Sequence, residues 1–363
     1  MTSLFDPLVI NRLQLQNRFV RSATFDNLGI NGRVSDAQLA LYDNLSKGEI
    51  GLIISGGLYP TRDGMGTKGQ LSAEKDEAIP SLRRLAQAVH VNGGRIAGQI
   101  LHCGFRSRVA VTGVPPVGPS EIVDPESGIR VRELRGDEIT EMIEAYIQAA
   151  RRIIEAGFDA VQLHAAHGWF LSAFLSPVMN LREDEWGGSA ERRVCFLRMI
   201  CQGIRKMAGP DFPLLLKLGL KDYHPAGKTI SEGIAAARLL ESDGVDSIEV
   251  SEGIEEKWGH HIRKDALHPY YLEECRQARP VLKNPMILVG GMREFGDMQA
   301  VLDENAADAV SLCRPFIQDP HIIRKHRKGE VSGSACKSCN GCGERMIEGH
   351  FGCAFNQESE KRR

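Results

Sequence analysis

No apolar stretch in the 363 residues reaches the ~18 residues that a membrane-spanning helix needs. Residues Met1 to Val9 lack the basic flank and long apolar run of a signal peptide, so the cytoplasm is the expected location. An excess of one charge is also missing. Lys and Arg number 45 against 47 Asp and Glu, the formal charge is −2, and no basic stripe or polybasic run points to nucleic acid or a membrane surface. No Gly-x-Gly-x-x-Gly stands between a strand pattern and a helix pattern, so the usual dinucleotide fingerprint is absent. Low-complexity segments are absent as well. What is left is a globular chain, 42% hydrophobic and 25% charged, with enough apolar residues for a sizeable core.

Eight short runs with apolar or small-residue cores read as strands buried on both faces: 19–23, 51–54, 95–100, 160–163, 214–217, 247–250, 286–289 and 309–312. Helical patterns fill the gaps at 36–47, 80–91, 137–155, 190–207 and 231–241. In the third of these, Ile139, Ile143, Tyr146, Ile147, Ile153 and Ile154 trace one face, with Asp137 as N-cap and Gly157 as stop. Serial βα units fit a closed barrel or a doubly wound sheet, and eight is the barrel count. The expected architecture is a (β/α)8 TIM barrel over 1–329 with a short cysteine-rich C-terminal tail over 330–363. Two stretches break the repeat, 102–132 and 252–269, the second carrying His260, His261 and His268. Both follow strand C-terminal ends, where barrel enzymes place their chemistry, and both read as lids or substrate walls.

The densest chemistry lies at the end of the fourth strand, in His164-Ala-Ala-His167-Gly-Trp169. Two imidazoles there can grip one polar oxygen, polarising a carbonyl or holding a phenolate; a metal pair and buried structural histidines are the alternatives. A metal-dependent hydrolase built on His164, His167 and Lys217 lacks the carboxylate-rich strand ends that a two-metal site wants. Gly290 and Gly291 follow the seventh strand and Arg314 ends the eighth, the two loops from which many barrels build a phosphate site. Glycine lets backbone N–H groups approach an anion, and Arg can pair with it bidentately; the bland alternative is a tight turn and a surface Arg. Gln99 ends the third strand with an amide that can both donate and accept. Lys217 ends the fifth, where a buried ammonium is costly unless paired.

Nine cysteines divide into two groups. Cys103, Cys195, Cys201, Cys275 and Cys313 are scattered, whereas Cys336, Cys339, Cys342 and Cys353 are bunched. The bunched four suit tetrahedral zinc or a [4Fe–4S] cluster, with unmetallated thiols as the third reading.

The run after the histidine pair, Phe174-Leu-Ser-Pro177 and then Asn180-Leu-Arg-Glu-Asp-Glu-Trp-Gly-Gly-Ser189, resembles the signature of the Old Yellow Enzyme family. Leu4-Phe-Asp-Pro-Leu8, Asn17-Arg-Phe-Val-Arg-Ser-Ala-Thr24, Gly51-Leu-Ile-Ile54, Gly98-Gln-Ile-Leu-His102, Val289-Gly-Gly291 and Leu312-Cys-Arg-Pro315 extend the resemblance over roughly residues 4–320. It implies non-covalent FMN and NAD(P)H as co-substrate. It puts Ser22, Ala23 and Thr24 against the isoalloxazine, Gly57 beneath the ring, Gln99 on the pyrimidine edge and Lys217 beside N1–C2=O. Gly290, Gly291, Cys313 and Arg314 complete the cofactor-binding set, with the two glycines and Arg314 at the phosphate. The implied reaction passes hydride from NAD(P)H through flavin N5 to an electron-poor alkene whose carbonyl is held by His164 and His167. Phe25 and Trp169 are the expected substrate neighbours, and both depart from the family's pattern. Many members carry Tyr at position 169 as the acid, and an indole N–H is no practical acid. An apolar Phe25 removes a tuning hydrogen bond that Thr, Cys or His gives in relatives.

The tail is similar to that of the 2,4-dienoyl-CoA reductase and trimethylamine dehydrogenase branch, whose four cysteines hold a [4Fe–4S] cluster. Those relatives continue into a dinucleotide-binding region, whereas this sequence stops at Arg363. The same resemblance implies homo-oligomers and a small-molecule substrate, and it leaves two rival readings: an amine dehydrogenase, or an FMN/iron–sulfur module that serves an external electron-transfer partner.

Overall fold

The computed structural model describes residues 2–123, 128–255 and 268–356. Eight parallel strands form a closed barrel. In chain order they are β1 Phe19–Arg21, β2 Leu52–Ile54, β3 Ile96–Ile100, β4 Ala160–Ala165, β5 Leu214–Gly219, β6 Ser247–Ser251, β7 Met286–Val289 and β8 Ala309–Leu312. Each pairs with its sequence neighbours, and β8 closes on β1 through Val310↔Phe19 and Leu312↔Arg21. The outer helices are α1 Asp36–Ser46, α2 Ile79–His90, α3 Gly136–Glu155, α4 Cys195–Ala208, α5 Ile230–Ser242, α6 Leu272–Ala278 and α7 Phe295–Asp303. The expected barrel is therefore the observed one.

Period-two alternation on buried strands gives the barrel two apolar layers. Outward residues such as Phe19, Ile53, Ile100, Leu163, Leu216 and Val250 pack under the helices. On α2 the buried Leu82, Leu85, Ala86 and Val89 recur at helical spacing and make the matching stripe. Inward residues Val20, Leu52, Ile54, Ala97, Ala160, Leu215, Ile287 and Ala309 pack with an N-terminal hairpin, Leu8–Ile10 paired to Leu13–Leu15, that plugs the floor of the barrel. Above this floor the inward residues turn polar.

Local signals fix the helix ends. Ser35 Oγ accepts the Gln38 N–H at the start of α1, and Thr229 and Glu232 form a reciprocal capping box on α5. Three expectations change in detail. The cap of α3 is Arg135, whose N–H donates to Glu138, rather than Asp137. The stretch 190–207 is two helices, Ala190–Arg193 and Cys195–Ala208, that meet at Val194. The stretch 102–132 breaks the βα repeat as expected, but it carries strands the sequence did not show: Val117–Gly118, Ile122–Val123 and Arg130–Glu133 form a small three-stranded sheet that runs just past it. His260 and His261 lie outside the described residues.

After β8 the chain forms α8 Arg314–Gln318, α9 Ile322–Arg327 and α10 Gly341–Ile347. The tail docks beside the β7 and β8 ends. Phe295 N–H donates to Ser332 O and Ser334 N–H to Arg293 O, at 3.0 and 2.9 Å, and Asn27 Nδ2 donates to Met346 O at 2.9 Å. Among the described residues, no helix is long and apolar enough to cross a membrane.

Candidate active site

The polar layer at the strand ends is one connected network. Glu249, inward on β6, accepts from Ser22 Oγ at 2.7 Å, Ser311 Oγ at 2.8 Å and Gln162 Nε2 at 3.0 Å. Lys217 Nζ lies 3.1 Å from the same carboxylate and donates to Ser22 Oγ at 2.9 Å. Gln99 Nε2 donates to Gln162 Oε1 at 2.7 Å. An ionised carboxylate only accepts, so Gln162 must turn its NH2 toward Glu249 and its oxygen toward Gln99. Gln99 then has its amide nitrogen committed inward. Burial pushes the Glu249 carboxyl up, but the Lys217 ammonium and the three hydrogen bonds outweigh it, and the group sits below the ordinary glutamate value. Breaking such a buried pair from one side costs about 3–5 kcal/mol, because the other ion is stranded.

Strand register explains why these groups meet. Lys217 pairs with His164 on one side and with Glu249 on the other, and Gln99 pairs with Gln162. β4 and β5 each run two residues beyond the expected strand, so His164 sits inside β4 with its side chain on the inward face. His164 is 5% exposed, and its ring centroid is 5.0 Å from that of His167, edge-on. His167 has φ 61° and Gly168 φ 72°, so two left-handed residues in a row lift the chain off the strand end. The His167 N–H donates to Glu252 O at 2.9 Å, and its Nε2 is 2.6 Å from Ser251 Oγ. The structure therefore brings the histidine pair together, with one ring nitrogen of His167 tied to β6.

The remaining expected residues surround this layer. Thr24 Oγ1 donates to Ser22 O at 2.9 Å and lies 3.2 Å from Cys313 Sγ. Ala23 packs at the edge of the barrel-floor layer. Gly57 and the half-exposed Phe25 line one shallow hollow. A Cβ at Gly57 would come 2.6 Å from Leu101 Cβ, so packing against Leu101, just past β3, by itself demands a small residue there. Trp169 caps the short helix Phe170–Leu175, and the Arg106 guanidinium lies 4.9 Å from its ring centroid.

Gly290 and Gly291 have φ 95° and 78°. A Cβ on Gly291 would fall 1.7 Å from His268 O, and one on Gly290 would fall 2.7 Å from the Tyr270 ring. Arg314 Nη2 donates to Tyr270 OH at 3.1 Å, so Tyr270 joins the glycine pair to the arginine. Arg314 also reaches into the tail, donating to Asn340 Oδ1 at 2.6 Å. Cys336, Cys339, Cys342 and Cys353 line one cavity with Arg314 and Asn340. Among the described residues, no three His, Cys, Asp or Glu side chains are already closed around a metal-sized point. Burial, with Cys313 and Cys336 nearby, pushes the Cys342 thiol up to about 11. Arg293, itself buried, donates to Cys336 O at 3.2 Å and to Ser338 Oγ.

The donor set has a clear chemical sense. An ammonium, an amide and hydroxyls lie together at the strand ends, and two left-handed glycines and a guanidinium lie at the ends of β7 and β8. That combination suits a flat, polar-edged ring that carries a phosphate. Gln162, Glu249, Ser251 and Tyr270 are the participants missed from sequence. The alternation Ser247-x-Glu249-x-Ser251 in a buried strand was the available signal for two of them.

The model of the NADH:flavin oxidoreductase / NADH oxidase family matches residues 3–332. The chain is 34% identical to an NADH oxidase of Thermoanaerobacter brockii over 94% of its own length and 53% of that protein's. It spans about half the length of the first curated relatives that it matches. Among solved structures, a 2-naphthoyl-CoA reductase complex with 2-naphthoyl-CoA superposes with TM-score 0.92 at 30% identity, covering 97% of this chain and 56% of that one. An Old Yellow Enzyme homologue from Zymomonas mobilis superposes with TM-score 0.79 at 28% identity, covering 92% and 94%.

Proposed function

The chain belongs to the NADH:flavin oxidoreductase / NADH oxidase family, and from that premise we propose that it is an FMN-dependent NAD(P)H oxidoreductase of the ene-reductase type. The observation that carries the reading is the connected polar layer of Ser22, Gln99, Lys217 and His164 at the strand ends, with Gly290, Gly291 and Arg314 at the ends of β7 and β8. Bound FMN supplies a hydride acceptor and donor at N5, chemistry that no side chain has. Gln99 and Lys217 would hold the polar edge of the ring, Ser22 and Thr24 would border it, and Arg314 with the Gly290–Gly291 backbone would neutralise the phosphate. His164 and His167 donate to the acceptor's carbonyl oxygen and stabilise the negative charge that grows there, an oxyanion-hole effect. Ser251 keeps the His167 ring in one orientation. Trp169, stacked under Arg106, forms a wall and no acid, so the proton for the substrate carbon comes from elsewhere.

The tail is read as a [4Fe–4S] site. Four thiols line one cavity beside two guanidiniums, and thiolate clusters carry net negative charge that such cations offset. The chain is thus read as a barrel over 1–329 with an appended redox tail over 330–363. One experiment tests the flavin reading directly. The purified protein should be yellow, and acid precipitation should release free fluorescent FMN that again binds the apoprotein. A colourless protein that takes up no FMN on reconstitution refutes it.

A further inference from the structure

A bare ammonium beside a flavin would strongly favour the anionic reduced ring, because in a poorly solvated site its field is scarcely screened. Lys217 is not bare. Its Nζ lies 3.1 Å from the Glu249 carboxylate, on the adjacent strand and in register, with the two side chains 5% and 0% exposed. Ser22, Ser311 and Gln162 all donate to that carboxylate, so three neutral groups and one cation converge to hold it as an ion. Ser22, Ser311 and Gln162 are all buried, so the carboxylate's field at the strand ends is as little screened as the ammonium's.

We propose that Glu249 is the charge-setting residue of this site: its carboxylate cancels most of the Lys217 charge, and a group bound above the strand ends meets a dipole rather than a cation. Glu249 does not face the substrate; it acts through Lys217, and through Gln162 on Gln99. The proposal rests on the flavin reading, because the consequence lies in the potential of the bound ring.

The test is the two-electron midpoint potential of the FMN-loaded protein, measured by dye equilibration at one fixed pH. Four proteins are compared: wild type, Glu249→Gln, Lys217→Met and the double variant. Glu249→Gln should raise the potential by at least about tenfold in the reduction equilibrium, roughly 30 mV for a two-electron couple. Lys217→Met should lower it by a comparable amount. The double variant, which removes both charges and strands neither, should stay within about tenfold of wild type.

A double variant that falls as far as Lys217→Met overturns the proposal, as does a flavin-bearing Glu249→Gln protein with an unchanged potential. If one single variant fails to fold or to hold FMN, the other decides: Lys217→Met at least about tenfold below the double variant, or Glu249→Gln at least about tenfold above wild type, supports the cancellation, and no difference refutes it. A purely structural Glu249 would cost stability and leave these potentials in place. A wild-type protein without FMN refutes the flavin reading instead and is recognised before any variant is made.

Discussion

His167 sits in a left-handed backbone conformation that residues with a Cβ rarely adopt, and its Nε2 is held 2.6 Å from Ser251 Oγ. A ring fixed in this way loses little freedom when the other nitrogen takes up a ligand. Changing both His164 and His167 to alanine should suppress transfer to an enone by roughly 10²–10³ for each donor lost. Reduction of the flavin by NAD(P)H should keep its order of magnitude, and phenol binding should weaken in the same titration. Stopped-flow separation of the two half-reactions checks this; equal loss in both would mean that the histidines hold the fold or the cofactor. The histidine pair was legible in the sequence because it is local, with only Ala165 and Ala166 between its members. Glu249 was not. It donates nothing, its polar strand-mates are only Ser247 and Ser251, and it takes its meaning from Gln162 and Ser22, 87 and 227 residues away. A lone carboxylate at such a place reads as an anomaly until strand register shows which ammonium faces it.

One arginine links two elements that have different tasks. Arg314 opens α8 at the end of β8, touches Tyr270 over the glycine pair and donates to Asn340 in the tail. Charge-assisted hydrogen bonds of this kind are worth about 1.5–3 kcal/mol. Arg314→Ala should therefore weaken FMN binding by roughly tenfold to a hundredfold. It should also speed proteolytic cleavage within 330–356 of the FMN-free protein. Arg314→Lys should recover little of either, since an ammonium has no planar fork to span both partners. Cofactor loss without a change in tail cleavage would separate the two tasks. The eight strands were visible as short apolar runs, and the outer helices as amphipathic stretches. The three-stranded sheet of Val117–Gly118, Ile122–Val123 and Arg130–Glu133 was not, because strands of two residues are made by their partners rather than by their own pattern. The two-residue extension of β4 and β5 was likewise missed: His164 and Lys217 are polar, and polarity alone looked like the end of each strand.

For the molecule as a whole, the proposed cluster has a composition that can be counted. After anaerobic reconstitution, iron and acid-labile sulfide should each approach about four per chain. Replacing any of Cys336, Cys339, Cys342 and Cys353 with serine should lower both. Because the Cys342 thiol is pushed up to about 11 and must lose its proton to ligate, loading should weaken as the pH falls. Zinc at one per chain with no iron would leave the tail a structural staple. The spacing of these cysteines was plain in the sequence, but their docking against β7 and β8 was not, since it depends on Arg293 and Arg314 reaching across from the barrel.

The closure of the barrel sets terms for its biosynthesis. β1 finds one of its two partners only when Val310, Ser311 and Leu312 arrive beside Phe19, Val20 and Arg21. A ribosome delivers the N-terminal strand first, so one edge of β1 stays unpaired while nearly all of the remaining barrel is made. Such an edge is a template for pairing with other chains. During this interval the hairpin of Leu8–Ile10 and Leu13–Leu15 lacks the complete ring of strands that later covers its apolar face. Slow release of the last strands therefore exposes the nascent chain to aggregation, and crowded, rapid expression at high temperature is the condition under which its yield should suffer first.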